Sequence, residues 1–212
     1  MEKKYKLTEE TIKVKGSILH RIEALKDFSD VKKGDKGGYI EKEENLSQSG
    51  DCWVYHNAVV YDDAEVYEDV KVFGDARIYG KARVLDNARV LDNAKVYGNA
   101  AIYGDAKVYG NAMVYDNVKV FEDAEVFGNA EVFGNAEIRG NAEIASNSDY
   151  IVFKNWWSSG RYFTWTKSNN MWKAGCFYGT STELIEKAYR DSEKSGKEYE
   201  KIVKYVESIL KV

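Results

Sequence analysis

Ala94-Lys95-Val96-Tyr97-Gly98-Asn99-Ala100 contains one full period of the pattern that decides the fold. Side chains alternate along a strand, so Ala94 and Val96 share one side while Lys95 and Tyr97 share the other. The Ala/Val side is narrow and apolar, and is therefore the inside. Gly98-Asn99 is a corner, because Gly and Asn enter the left-handed backbone region more readily than other residues. The aliphatic residue recurs every six positions from Val54 to Ile144, giving sixteen hexads without an insertion. A small residue, usually Ala, stands two places before it, with Val70 and Val118 as substitutes. A period of six matches neither the helical turn of about 3.6 residues nor hairpin spacing. Three short strands and three corners close a triangular coil of 18 residues. The expected fold is thus mainly β, a parallel β-helix of about five coils, with neighbouring coils at strand-pairing distance.

Motifs such as Val96-Tyr97-Gly98-Asn99-Ala100 and Val126-Phe127-Gly128-Asn129-Ala130 resemble the hexapeptide-repeat, left-handed parallel β-helix family over about half the chain. The left hand is implied by that resemblance alone, because crossovers between parallel strands are otherwise right-handed. The resemblance also implies a homotrimer, and it offers acyl transfer from acyl-CoA or acyl carrier protein, with a His as general base. The flanks, Lys4 to Gln48 and Asp149 to Ile209, are similar to those of hexapeptide-repeat proteins carried by bacteriophages and prophages, which mostly lack a known activity.

The flanks divide the chain into an N-terminal β cap (1–50), the repeat (51–148) and a C-terminal α+β cap (149–212). In the first, Lys13-Val14 and Ile18 to Leu25 read as strands, and Gly34-Asp35-Lys36-Gly37-Gly38 as a turn without the Gly-Lys-Ser/Thr ending of a phosphate loop. Ile40, Leu46 and Cys52 keep the six-residue spacing, so this cap is expected to lead straight into the first coil and cover its open end. In the last cap, Tyr150 to Phe153 is a strand, and Arg161 to Thr166 with Met171 to Tyr178 a hairpin. Ser181-Thr182-Glu183-Leu184 opens a helix, and a break at Ser195-Gly196 precedes a second one.

Two places suggest a ligand. Trp156, Trp157, Tyr162, Trp165 and Trp172 cluster around Ser158-Ser159-Gly160-Arg161, a loop that can offer backbone N–H groups and a guanidinium to an anion. Two adjacent Trp residues cannot both point inward from a strand, so at least one is expected at the surface. The alternative use of these rings is a small cap core. On the repeat, the residue after the aliphatic is aromatic in twelve of sixteen hexads, and the residue before it runs from basic (Lys71 to Lys119) to acidic (Glu125 to Glu143). Arg77, Tyr79, Lys95 and Tyr97 should share one face, and could hold an anionic, ring-bearing ligand. The aromatic stripes also read as ladders between coils, or as a seam between subunits.

Composition narrows the classes. Net charge is −4, which favours neither a nucleic-acid polymer nor an anionic membrane as partner. No apolar run approaches a membrane span and no signal-peptide pattern stands at the start, so the expected location is the cytoplasm of a bacterial host cell. Cys52 and Cys176, with His20 and His56, match no metal or redox spacing; both thiols are expected to be buried. Neither His has an evident partner, and the unbroken repeat lacks a loop excursion, so acyl transfer is the second reading and a structural rod the third. The first is a non-catalytic phage-type binding protein. It needs no cofactor, and would sequester a small anion such as a host defence signalling nucleotide.

Overall fold

The computed structural model describes residues 3–210. It divides into two compact units, one ending at Asn147 and one beginning at Ser148.

The first unit is a parallel β-solenoid. Its N-terminal hairpin, β1 (Tyr5–Val14) and β2 (Ser17–Ala24), pairs antiparallel onto β3 (Lys36–Ile40), which starts one face of the coil. Sixteen two-residue rungs follow from Trp53–Val54 to Glu143–Ile144, and each before the last coil pairs in parallel with the rung eighteen residues on. The first face stacks β3 on the rungs holding Val60, Ile78, Val96, Val114 and Val132. The second stacks Leu46, through a bridge to Val66, on Val84, Ile102, Val120 and Ile138; the third runs from Val54 to Ile144. Each face therefore has six levels, because β3 and Leu46 add one level to each of the first two faces. Ile40 and Leu46 pair with Val60 and Val66, so they occupy the aliphatic position and not the small one to which their six-residue spacing assigned them. A two-residue insertion between Leu46 and Val54 accounts for the shift.

The interior is the Ala/Val column read from the sequence: Ala94, Val96, Ala100, Ile102 and their equivalents have no exposed surface. The corners follow a simple steric rule. The first corner residue has positive φ throughout, 59° at Asp92, 71° at Gly98 and 61° at Asp116. A Cβ on Gly98 would stand 2.8 Å from Asp116 N, so glycine at this corner spares a close approach to the facing backbone. Where it is an acid, its carboxylate caps the next coil: Asp92 Oδ2 accepts from Gly110 N at 3.0 Å and Asp116 Oδ2 from Gly134 N at 3.1 Å. The second corner residue builds amide ladders, as in Asn99 to Asn117 at 3.1 Å.

The N-terminal end is closed by a charge. Lys4 is buried, and its ammonium donates to Cys52 O at 2.9 Å and Gly50 O at 3.1 Å, with Cys52 Sγ at 3.2 Å. Burial lowers its pKa, opposed by the neighbouring thiol and Asp51. Gly37 and Gly38 lie within β3 and not in a turn: a Cβ on Gly38 would meet Ala58 O at 2.4 Å, so Gly lets the strand close over the first coil.

The second unit is a four-stranded antiparallel sheet, β4 (Tyr150–Lys154), β5 (Tyr162–Thr166), β6 (Met171–Ala174) and β7 (Phe177–Gly179), with helices α1 (Ser181–Asp191) and α2 (Glu193–Ile209). The expected second hairpin strand breaks at Gly175-Cys176, where Gly175 has φ 59°. Thr180 and Glu183 form the cap of α1. The break between helices falls at Ser192, whose hydroxyl accepts from Ser195 N at 3.1 Å, and not at Ser195-Gly196. Gly196 stays helical because its missing side chain makes room for the Tyr189 ring, which a Cβ would approach to 2.3 Å. No helix among the described residues is long and apolar enough to cross a membrane.

Candidate anion site in the C-terminal unit

The core of the second unit takes three of the five clustered Trp and Tyr rings. Trp157, Trp165 and Trp172 are buried with Phe163, Leu184, Val203 and Val206. Strand alternation turns Trp165 and Phe163 inward from β5, and the Trp165 and Trp172 indoles donate to Asn170 Oδ1 at 2.9 Å and Ser181 Oγ at 3.0 Å. Trp165 and Trp172 are therefore enclosed in this core and do not line the loop's surface. Trp156 and Trp157 lie in a turn and not in a strand, and they still diverge: Trp157 goes in, and Trp156 is 72% exposed.

What remains of the loop lines a cavity of about 280 Å³. Asn155 builds it. The residue is buried, and its side chain accepts from Ser158 N at 3.0 Å and donates to the Tyr199 hydroxyl on α2 at 3.2 Å. Its backbone closes the loop, donating to Arg161 O at 2.8 Å and accepting from Gly160 N at 2.8 Å. The loop then presents Ser158, Ser159, Arg161 and Tyr162 to the cavity. A Cβ on Gly175 would stand 3.4 Å from Arg161 Nη1, which places the guanidinium over the β6–β7 turn.

The opposite wall comes from residues that the sequence reading passed over: Cys176, Lys187, Asp191 and Ser195. Lys187 and Asp191 lie four apart on α1 and flank its apolar stripe of Leu184 and Ala188, where they read from sequence as ordinary solvated charges. Cys176 is exposed, contrary to the expected burial, because the turn after β6 carries it out of the sheet. Arg161 and Lys187 form no ion pair with a described residue, whereas Lys154 lies 5.6 Å from the Tyr162 ring centre. Two cations against one carboxylate leave the cavity net positive, and Ser195 lies in the first turn of α2, where the helix dipole favours negative charge. The C-terminal end of α1 opposes that field.

The second place also assembles, but differently. Arg77 and Lys95 are cross-coil partners, and Tyr79 stacks on Tyr97 at 4.8 Å. Tyr61 and Tyr115 continue the stack at 5.0 and 4.9 Å, so both faces of Tyr79 and Tyr97 are occupied and only their edges remain open. The rod thus offers cations without a free ring face for a base. The charge collars partly cancel one another, with Lys107 bonded to Glu125 at 2.6 Å and Lys119 to Glu137 at 3.0 Å. His56 is an exposed corner residue at φ 53°, and the His20 ring is tied to Thr8 O at 3.0 Å.

Two comparisons with known proteins bear on the chain. A model of the YdcK beta solenoid repeat matches residues 106–120. A protein of Escherichia coli (strain K12), named as the uncharacterized acetyltransferase YdcK, is 46% identical over 46 residues. That similarity spans 21% of this chain and 14% of the relative. Both findings agree with a chain built on β-solenoid repeats.

Proposed function

We propose that the protein is a binding protein whose C-terminal unit holds a small anion, and that the solenoid is its rigid carrier. The observation behind this reading is the cavity that places Arg161 and Lys187, both without carboxylate partners among the described residues, beside the hydroxyls of Ser158, Ser159 and Ser195. A guanidinium matches the paired oxygens of a phosphate or carboxylate. At about 280 Å³ the space is at the lower edge of small-molecule sites. It suits a phosphate-bearing end, leaving a nucleotide's base to the exposed rings of Tyr162 and Trp156. Sequestration of a host signalling nucleotide is the finer form of the same proposal. Thermal shift with pyrophosphate tests it: a bound anion must raise the melting temperature with concentration. The rise should vanish in Arg161→Ala/Lys187→Ala, and an equal rise in that variant would remove the site.

Acetyl transfer is the second reading, favoured by the name of the Escherichia coli relative. Its test is acetyl-CoA hydrolysis or transfer by the wild type and His56→Ala; activity lost in the variant would put the enzyme reading first.

A further inference from the structure

We infer that Cys176 is a site of thiol–disulfide exchange selective for anionic disulfides of the glutathione class. The inference rests on the reading of the cavity as an anion site. Three observations support it. First, Cys176 is a free, exposed thiol in the wall of the cavity. It follows Gly175, whose positive φ turns the chain, and the Lys173 ammonium folds onto the Gly175 carbonyl, holding the turn. Second, Ser195 lines the same cavity with a residue exposure of 8%, and its hydroxyl has no hydrogen-bond partner among the described residues. The hydroxyl is open to the cavity, where a bound ligand would provide the partner it lacks. Third, the charges match. Each half of glutathione disulfide carries two carboxylates and one ammonium, and the cavity offers Arg161 and Lys187 with Asp191.

The step balances without a further oxidant. The Cys176 thiol gives up its proton, and its thiolate sulfur attacks one sulfur of the disulfide. A new S–S bond forms as the old one breaks, and the displaced glutathione leaves as a thiolate and takes up the proton. Cys176 is oxidised and the departing half is reduced. The resulting adduct fills the cavity, so it would shut out the anion proposed above. The other thiol, Cys52, has no exposed surface and is held against Lys4.

The test measures exchange rates of the full chain with three disulfides, anionic glutathione disulfide, neutral hydroxyethyl disulfide and cationic cystamine, with peptide mass spectrometry to locate the adduct. The expected result is one adduct, on Cys176, with glutathione disulfide favoured over cystamine by roughly tenfold at low salt, as focused fields accelerate encounters of opposite charge. That ratio should collapse in Arg161→Ala/Lys187→Ala. It should also collapse for the wild type in high salt, a control that needs no variant to fold. Equal rates for all three disulfides, or an adduct on Cys52, would overturn the inference. Pyrophosphate binding by Cys176→Ser separates the two claims. If that variant binds while the wild type shows no charge preference, the anion site stands and the exchange site falls. If charge preference appears and pyrophosphate binds neither form, the anion-site reading fails and the thiol chemistry stands.

Discussion

Tyr79 and Tyr97, eighteen residues apart in sequence, stack with ring centres 4.8 Å apart and planes 3° from parallel. The relationship follows from the coil length: a strand advances one rung each time the chain closes a triangle, so outward side chains of equivalent hexads meet face to face. Parallel aromatic neighbours of this kind contribute about 0.2–1 kcal/mol each. The ladder from Tyr61 to Phe133 has a consequence for acidity. Burial in the stack, and then the neighbouring phenols of Tyr79 and Tyr115, push Tyr97 up to about 12. Tyr109, half-buried against Phe127 and bonded to Glu125 at 2.9 Å, is likewise pushed up to about 12.

A phenol raised in this way keeps its proton longer in the folded protein than in the unfolded chain. The stability it confers is intact below the ordinary value of 10.0 and is lost as pH rises from there toward 12. Ultraviolet titration should show phenolate from these tyrosines appearing late, with unfolding setting in over the same interval. Complete, reversible ionisation of all tyrosines near pH 10 would contradict the stacked arrangement.

At acid pH the exposed pair near the N-terminal end should respond. Lys71 bonds Asp30 at 2.6 Å and the Tyr55 hydroxyl donates to it at 2.8 Å, which pushes Asp30 down to about 2. Its contribution is present above the ordinary value of 3.8 and fades as pH falls toward 2. Because the Asp30 side chain is 53% exposed, solvent screening keeps the effect within the range of roughly 0–1 kcal/mol usual for surface pairs. Asp30→Asn should lower the urea midpoint slightly at pH 7 and leave it unchanged at pH 2; a deficit that persists at pH 2 would contradict the assignment to charge.

The interior column tolerates no added volume. Ala100 has no exposed surface and faces its equivalents in adjacent coils. Ala100→Leu should cost about 1–3 kcal/mol by overpacking, or more in so narrow a core. Thermal unfolding followed by circular dichroism checks it, and an unchanged melting temperature would count against the inward placement of this column.

Most of the first unit could be read from the chain because each hexad carries its own strand, corner and core residue. Sixteen copies left one solution for their register. The second unit has no repeat, and the alternation of β5 decides which rings are core: Phe163 and Trp165 point inward, and Tyr162 is 43% exposed. The loop from Ser158 to Tyr162 was visible because small residues and Arg among aromatics are chemically unusual. Cys176, Lys187, Asp191 and Ser195 were not, since they reach the cavity only through the packing of α1 and α2 on the sheet, to which no local pattern points.

The aromatic edges of the solenoid leave a second expectation open to experiment. Phe133 is 45% exposed at one end of its ladder. Rods that pack side by side would cover it, and a homotrimer is the proposed assembly. Light scattering at micromolar concentration should return a trimer mass, and a monomer mass would leave the ladders as purely intramolecular supports.

The site itself is tested most directly by titration calorimetry of pyrophosphate into three proteins: wild type, Arg161→Ala, and Arg77→Ala/Lys95→Ala. The wild type should bind, and binding should weaken by roughly tenfold or more when the guanidinium is lost, since hydrogen bonds to charged groups are each worth about 1.5–3 kcal/mol. Binding should be unchanged in the rod pair, whose tyrosine faces are already occupied. Binding that survives Arg161→Ala and fails in Arg77→Ala/Lys95→Ala would contradict the account and move the site to the solenoid.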